Sequence, residues 1–153
     1  MKKIVLTVYL WILGFFMFPA AFAQEELAIQ QVIATLFEGM KSKDLEKIEP
    51  AFLPNAQMQT VNASPAGATV GTNTVQDFFN RIATTPAETI LDEQILDYQI
   101  KIDGQMAAAW TPYRFYVNGA FSHCGVNSFQ LVKTSEGWKI TYIIDTRRKE
   151  GCD

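Results

Sequence analysis

The spacing of apolar residues changes once along this chain, and that change limits the folds the chain can adopt. As far as Ile82, apolar residues recur every three or four positions, as they do on one face of an α-helix. From about Ile90 they alternate with polar residues, which is typical of β-strands with one buried face. Helices followed by a run of strands predict an α+β domain in which a sheet packs against helices.

Three N-terminal helices are predicted. A long amphipathic helix covers residues 25–40, and a short second helix over residues 43–49 has Ser42 as its cap. Residues 62–71 are rich in small and polar residues and are expected to form a loop. Asn73 is the expected cap of the third helix. The apolar stripe of that helix is Val75, Phe78, Phe79 and Ile82.

Turn signals divide the second half of the chain. They lie at Asp103-Gly104, at Asn118-Gly119 and over residues 135–137. The segments between them are long enough for four strands of an antiparallel meander. We therefore expect a curved β-meander sheet wrapped over the three helices.

The turn at Asn118-Gly119 predicts which side chains share a face of this sheet. A two-residue turn there sets Arg114 opposite His123. Continuing the alternation puts Asp145 on the outer face and leaves no Asp or Glu at the inward positions of the meander. The predicted inner face is apolar at one end and polar at the other, which is the usual composition of a small-ligand site. The residues expected to meet a ligand are Tyr98, Trp110, Arg114, Tyr116, His123, Asn127 and Tyr142.

Each candidate has a chemical and a structural interpretation. His123 is the only histidine, and its unperturbed pKa near 6.5 suits a catalytic acid or base, but it could equally be a structural histidine. Arg114 with Asn127 could bind a carboxylate, or Arg114 could pair with an acid from the helices. The aromatic residues that could either stack on a flat ligand or fill the core are Tyr98, Trp110 and Tyr142.

The opposite face of the sheet is also apolar, since Tyr113, Phe115 and Val117 are predicted to lie on it. No helix remains to cover that face. A second copy of the chain is the expected cover, which predicts a homodimer through the outer sheet face.

The start of the chain has the pattern of a secretory signal peptide. Two lysines precede an apolar run over residues 4–18, and Ala21 and Ala23 fit the small positions before a cut at Gln24. The prediction is a signal peptide at residues 1–23, a single domain at residues 24–153, and a periplasmic or secreted product without membrane attachment. The alternative is an uncleaved anchor, because residues 4–23 are just long enough to span a bilayer.

Export permits a disulfide between Cys124 and Cys152. The alternative is that both are free thiols, one of them buried. Two cysteines and one histidine at unrelated spacing do not predict a metal site. The net charge of −3 without a basic stripe argues against nucleic acid as a partner. No cofactor is predicted.

One long segment carries a family resemblance. Residues 110–133, together with Gly137-Trp138-Lys139-Ile140 and Asp145-Thr146-Arg147-Arg148, resemble the lumazine-binding family of the nuclear transport factor 2-like superfamily. The resemblance covers nearly all of the chain after residue 23. It implies a cone-shaped fold with a pocket between sheet and helices, and often a dimer through the sheet. The superfamily includes ketosteroid isomerase-like and dehydratase-like enzymes, polyketide cyclases and non-catalytic binding members.

Three functions are therefore open. The first is an exported domain that binds a small, partly apolar ligand, which the lack of an inward carboxylate favours. The second is an enzyme of the isomerase, dehydratase or cyclase type, with His123 as base and Tyr98 or Tyr116 as proton donor. The third is a dimeric interaction module whose pocket is filled by its own side chains.

Overall fold

The computed structural model describes residues 17–152. Its helices are α1 (Met17–Ser42), α2 (Leu45–Ile48), followed directly by a 3-10 turn (Glu49–Ala51), and α3 (Val75–Thr84). Its strands are β1 (Phe52–Ser64), β2 (Gly67–Thr74), β3 (Leu91–Ile95), β4 (Gln99–Asp103), β5 (Met106–Val117), β6 (Ala120–Thr134) and β7 (Gly137–Thr146).

The predicted helices are present, but their boundaries differ. Most of the predicted signal peptide lies outside the described residues, and its end forms the first turns of α1. Asp44, and not Ser42, caps α2, since its carboxylate accepts a hydrogen bond from the backbone N–H of Lys47 at 3.1 Å. Thr74 caps α3 one residue later than expected, because it forms a reciprocal capping box with Asp77. No helix within residues 17–152 is long and apolar enough to cross a membrane.

The sheet has seven strands in the order β2-β1-β7-β6-β5-β3, and β4 also pairs with β5. The predicted meander is present as β4 to β7. Residues 62–71 do not form the predicted loop but belong to the β1–β2 hairpin, in which Asn62 pairs with Thr69. Its side chains are small and largely exposed, so no apolar alternation reveals the strands. β1 runs parallel to β7, and every other pair is antiparallel.

The core lies between the helices and the inner sheet face. The predicted apolar stripes of α1 and α3 both point into it, which confirms the α+β architecture of helices under a curved sheet. The fully or nearly fully buried members include Ile29, Ile33, Leu36, Phe79, Ile82, Ala107, Ala109, Phe129, Leu131, Ile140 and Ile143. Each large aliphatic or aromatic side chain buried there contributes about 1.5–3 kcal/mol to folding.

Two β-bulges change which residues face this core. The turn at Asn118-Gly119 forms as predicted, and Tyr116 pairs with Phe121. The register then shifts, so that Phe115 pairs with His123 and Ser122 is the extra residue. A bulge of this kind reverses the alternation of the strand that contains it. His123 therefore shares a face with Phe115, and not with Arg114 as the simple ladder predicted.

The second bulge lies between β6 and β7. Leu131 pairs with Ile140, but Gln130 pairs with Tyr142, which leaves Thr141 as the extra residue. Beyond it, Ile143 and Asp145 face inward, and Tyr142 and Ile144 face outward. The prediction that Asp145 lies on the outer face is therefore wrong.

Candidate functional site

A cavity of about 330 Å³ lies between α1, α3 and the inner face of the sheet. Its apolar end is formed by both helices together with inward side chains of the sheet. These residues are Leu36, Phe37, Met40, Met58, Phe78, Ile82, Leu91, Phe115, Phe129 and Ile143. A volume of this size is at the lower end of the range for small-molecule sites.

Four strands supply the polar end of the cavity. β3 contributes Glu93, β5 contributes Tyr113, β6 contributes His123 and Asn127, and β7 contributes Asp145. The two bulges bring these groups together, because they turn His123 and Asp145 toward the same cavity as Tyr113. The site therefore contains two carboxyl groups, contrary to the prediction that the inward positions lack them.

Glu93 lies in an environment that favours its protonated form. Burial raises the pKa of its carboxyl from the usual 4.5 to about 8, and the negative charge of Asp145 adds to that effect. Asn127 opposes it, since its Nδ2 donates a hydrogen bond to Glu93 Oε1 at 2.7 Å, and the positive charge of Arg147 acts in the same direction. At pH 7 Glu93 is a carboxylic acid that ionises within the range in which general bases work.

Asp145 is held in place by two neighbours. Arg147 Nε donates to Asp145 Oδ2 at 2.8 Å, and the Tyr113 hydroxyl lies 3.5 Å from the same oxygen. That hydroxyl also donates to the Thr146 carbonyl oxygen at 3.0 Å. Burial, followed by the negative charges of Glu93 and Asp145, raises the pKa of Tyr113 far above its usual value. Tyr113 therefore stays a neutral hydroxyl, and Asp145 is an ion-paired carboxylate.

The His123 ring packs against two aromatic side chains. Its centroid lies 5.8 Å from the ring of Tyr113 and 5.0 Å from that of Phe115. Burial lowers its pKa below 6.5, and the positive charges of Arg147 and Lys149 lower it further, while Asp145 opposes them. His123 is therefore an uncharged imidazole at pH 7, able to accept or to donate a proton.

We expect a direct titration of His123 to give a pKa below 6.5. As the sole histidine, it gives one set of ring-proton resonances, and proton NMR between pH 4 and 8 measures the pKa. Arg147→Gln should raise that pKa, because a nearby positive charge is lost and Asp145 loses its ion pair. Lys101→Gln, an exposed substitution on β4 with the same change of charge, is the control. A pKa above 6.5, or no response to Arg147→Gln, would contradict this description.

Arg114 and Trp110, which the sequence predicts to contact a ligand, do not line this cavity. Arg114 pairs with Cys124, and its Nε and Nη2 donate to the Cys152 carbonyl oxygen at 3.0 and 2.8 Å. Trp110 faces outward and is 49% exposed. Their predicted placement on the inner face is wrong, because the bulge at Ser122 gives the inner face of β5 to Tyr113 and Phe115. These last two were predicted on the outer face.

The three tyrosines that the sequence predicts to contact a ligand do not line the cavity either. Tyr116 packs edge-on against Phe121, and the Tyr142 hydroxyl donates to the Gln59 side chain. Tyr98 is half-buried against the core. Of the sequence-predicted set, only His123 and Asn127 line the cavity.

Glu93, Tyr113 and Asp145 are the residues that sequence reasoning missed. In the five-residue strand β3, Leu91 and Ile95 lie on the same face as Glu93, but the three polar residues between them leave only a weak signal for an inward position. On β5 the run Ala107-Ala108-Ala109 is small on both faces of the strand, so it gives no signal for Tyr113.

The predicted disulfide is confirmed: Cys124 and Cys152 are bonded, with their Cα atoms 5.7 Å apart. Within residues 17–152, no group of three His, Cys, Asp or Glu side chains is arranged to hold a metal ion.

The same fold, helices packed on a curved sheet, is found in solved structures of nuclear transport factor 2-like proteins. One is a nuclear transport factor 2-like protein of unknown function from Shewanella baltica (22% identity, 84% of this chain and 97% of that chain, TM-score 0.62). Another, from Novosphingobium aromaticivorans, has a cystatin-like fold (13% identity, 87% of each chain, TM-score 0.67). A third is a proposed dehydratase of the same class from Streptomyces avermitilis (14% identity, 85% and 98%, TM-score 0.63).

The family model of the SnoaL-like domain matches residues 21–144, and the chain belongs to that family. No curated protein matches the sequence significantly.

Proposed function

We propose that this protein is an acid–base enzyme that acts on a small, partly apolar carbonyl compound in the cavity. The observation that carries the proposal is the Glu93 carboxyl, which lies in a largely apolar cavity with a pKa of about 8. Such a group changes its protonation state near physiological pH, as a general acid or base must. An isomerase-type site needs a carboxylate base inside the pocket.

Glu93 and His123 have complementary roles in the proposed reaction. The ionised Glu93 takes a proton from the carbon next to the carbonyl group, and the electron pair of the broken C–H bond moves toward the carbonyl oxygen to form an enolate. In a β,γ-unsaturated substrate the proton on Glu93 then returns to the γ-carbon of the dienolate, which completes an isomerisation, whereas its return to the same carbon gives hydrogen exchange alone. If a hydroxyl group lies at the β-carbon, Glu93 donates the proton that it has taken to that hydroxyl group, which leaves as water and gives an α,β-unsaturated product.

His123 supports the oxygen that gains charge. Ser122 Oγ lies 3.0 Å from His123 Nδ1, and a hydroxyl that donates there leaves the ring proton on Nε2. His123 lines the cavity, and a neutral imidazole N–H is a suitable donor to an enolate oxygen. Asn127 fixes the Glu93 carboxyl through its 2.7 Å hydrogen bond.

Hydrogen exchange tests this proposal without knowledge of the natural substrate. The enzyme in D₂O is mixed with a panel of small cyclic and aryl ketones, and NMR follows deuterium incorporation next to the carbonyl. Glu93→Gln should slow the exchange by roughly 100-fold or more, since general-base catalysis contributes about 10²–10⁴-fold. Glu88→Gln, at an exposed loop position, is the matched control. Exchange that persists in Glu93→Gln, or ketones that bind but never exchange, would refute the proposal.

Binding without catalysis is the second candidate, and the cavity of about 330 Å³ supports it. The sequence-based preference for binding rested on a pocket without carboxylates, and both Glu93 and Asp145 line the cavity. The resemblance to lumazine-binding proteins makes a lumazine the probe of choice for this alternative. Tight lumazine binding that His123→Ala weakens, with no ketone exchange, would favour it.

We propose that the protein acts in the periplasm or outside the cell. The signal-peptide pattern supports this, and so does the Cys124–Cys152 disulfide, because disulfides persist in oxidising compartments. Intact mass spectrometry of protein from its own host should give a chain that starts at Gln24. A chain that retains residues 1–23 in the cytoplasm would contradict export.

We also propose a homodimer through the outer sheet face. Trp110 and Met106 are 49% and 55% exposed on that face, which is unusual for large apolar side chains. Trp110→Glu should convert the dimer into a monomer in sedimentation or light-scattering measurements. Val70→Glu, at an exposed position on the distant β2 edge, should leave the mass unchanged. A monomeric wild-type protein at tens of micromolar would contradict the dimer.

A further inference from the structure

Two arginine side chains line the cavity, although the whole chain is acidic. Arg81 and Arg147 both line the cavity and are both exposed, so they mark the side where it meets solvent. Lys149 is close enough to affect the titration of His123. The net charge of the whole chain is −3. The rim of the cavity, formed by Arg81 and Arg147, therefore carries positive charge in a protein whose net charge is negative.

The two inward carboxyl groups do not neutralise Arg81. Asp145 is paired with Arg147 at 2.8 Å. Glu93 is mostly protonated at pH 7, because its pKa is about 8. Arg81 pairs with neither of these carboxyl groups. The carboxylate that it affects is Asp77, one turn earlier on α3, whose pKa is lowered by the hydrogen bonds of the capping box and further by the positive charge of Arg81.

Arg81 has free hydrogen-bonding capacity. Within the described residues, its one side-chain partner is Asn73, whose Oδ1 accepts from Arg81 Nη1 at 3.3 Å. No carboxylate among residues 17–152 lies within 4.0 Å of its guanidinium nitrogens. A guanidinium group has five N–H donors in a planar arrangement that suits a carboxylate.

The position of Arg81 on α3 connects this charge with the apolar end of the cavity. Phe78, Arg81, Ile82 and Thr85 all line the cavity, and they are spaced as neighbours on one side of the helix. A ligand that lies along this side of α3 can contact the Phe78 ring, the Ile82 side chain and the Arg81 guanidinium group.

We propose that the substrate is an amphiphilic carboxylic acid, whose carboxylate Arg81 binds at the rim while its apolar body occupies the cavity beside Phe78. This substrate class rests on the proposed function for the same cavity. Arg81 is then a specificity-determining residue, because it selects the acid over a neutral analogue of the same shape. Glu93 and His123 act on the carbonyl group of the substrate deeper in the cavity.

A pair of matched probes tests the proposal. 4-Phenylbutyrate and 4-phenylbutyramide have nearly the same shape and differ in charge, and NMR titration at low salt measures their dissociation constants. We expect the acid to bind roughly three- to tenfold more tightly, since exposed ion pairs contribute modestly and charge-assisted hydrogen bonds more. The preference should decline in 0.5 M salt because of screening.

The Arg81→Gln variant tests whether Arg81 causes the preference for the acid over the amide. It should make the two dissociation constants equal, while Lys101→Gln should leave their ratio unchanged. Equal binding of acid and amide to the wild-type protein, an unaltered ratio in Arg81→Gln, or no binding of either probe at millimolar concentration would each overturn the proposal. The ketone-exchange assay of Glu93→Gln is a separate readout, so failure of the catalytic proposal is distinguishable from failure of this one.

Discussion

Loss of the Cys124–Cys152 disulfide should lower the free energy of unfolding by about 3–4 kcal/mol. The two cysteines are 28 residues apart in sequence, and a cross-link across a loop of that length restricts the unfolded chain by this amount in the chain-entropy model. A loss of this size is a large fraction of the stability of a small domain. Urea denaturation of wild type and Cys152→Ser at equal pH measures it.

Non-covalent contacts should hold the C-terminal segment near its native position without the disulfide. Arg114 donates two hydrogen bonds to the Cys152 carbonyl oxygen, and Cys124 exchanges two backbone hydrogen bonds with Arg148. Reductant should therefore destabilise the wild-type protein without loss of its fold. The double variant Cys124→Ala/Cys152→Ser should not respond to reductant. Free thiols in the wild-type protein as isolated, or equal stability with and without reductant, would contradict the expectation.

The sequence predicted the helices and the order of elements well, because their signals are local. The stripe of α3 could be read from the spacing of Phe78, Phe79 and Ile82, and all three contribute to the core. The turn at Asn118-Gly119 also formed where its residues predict, since Asn118 and Gly119 both adopt the positive φ angles that such turns require. These features depend on a few neighbouring residues.

The composition of the site could not be predicted in the same way, because it depends on register. Ser122 and Thr141 carry no residue signature of a bulge, yet each reverses the faces of the strand beyond it. One extra residue at Ser122 brings Tyr113 to the cavity in place of Arg114. The other brings Asp145 inward. Register errors of a single residue therefore exchange the entire set of candidate side chains.

The electrostatic state of Glu93 is also a property of the assembled structure. The sequence places it between Asp92 and Gln94, in a segment that reads as polar and exposed. Asp92 has the opposite environment, since the Lys41 side chain lies 2.8 Å away and lowers the pKa of that carboxyl. Asp92 and Glu93 are adjacent on one short strand but differ in protonation, because Glu93 faces the cavity and Asp92 faces the opposite side of the sheet.

Replacing Glu93 by Gln should remove a large pH dependence of stability between pH 4.5 and 8. The pKa of Glu93 is raised from 4.5 to about 8 on folding, so the folded state binds the proton more tightly than the unfolded state. Its contribution to stability is therefore fully present below pH 4.5 and is lost as the pH rises through 8. Above pH 8 the folded wild-type protein has to bury a charged carboxylate.

Glu93→Gln has no charge to bury, so it should become more stable than the wild type as the pH rises. At pH 9 we expect the difference to reach roughly 3–5 kcal/mol relative to pH 4.5, since each unit of pKa shift corresponds to about 1.4 kcal/mol. Urea denaturation at half-unit pH steps gives the two profiles, and their difference cancels the titration of the other groups. Glu88→Gln should follow the wild-type profile throughout. Parallel profiles for Glu93→Gln and wild type would mean that Glu93 is ionised at neutral pH, and both its protonation and its proposed role as a base that titrates near pH 8 would have to be abandoned.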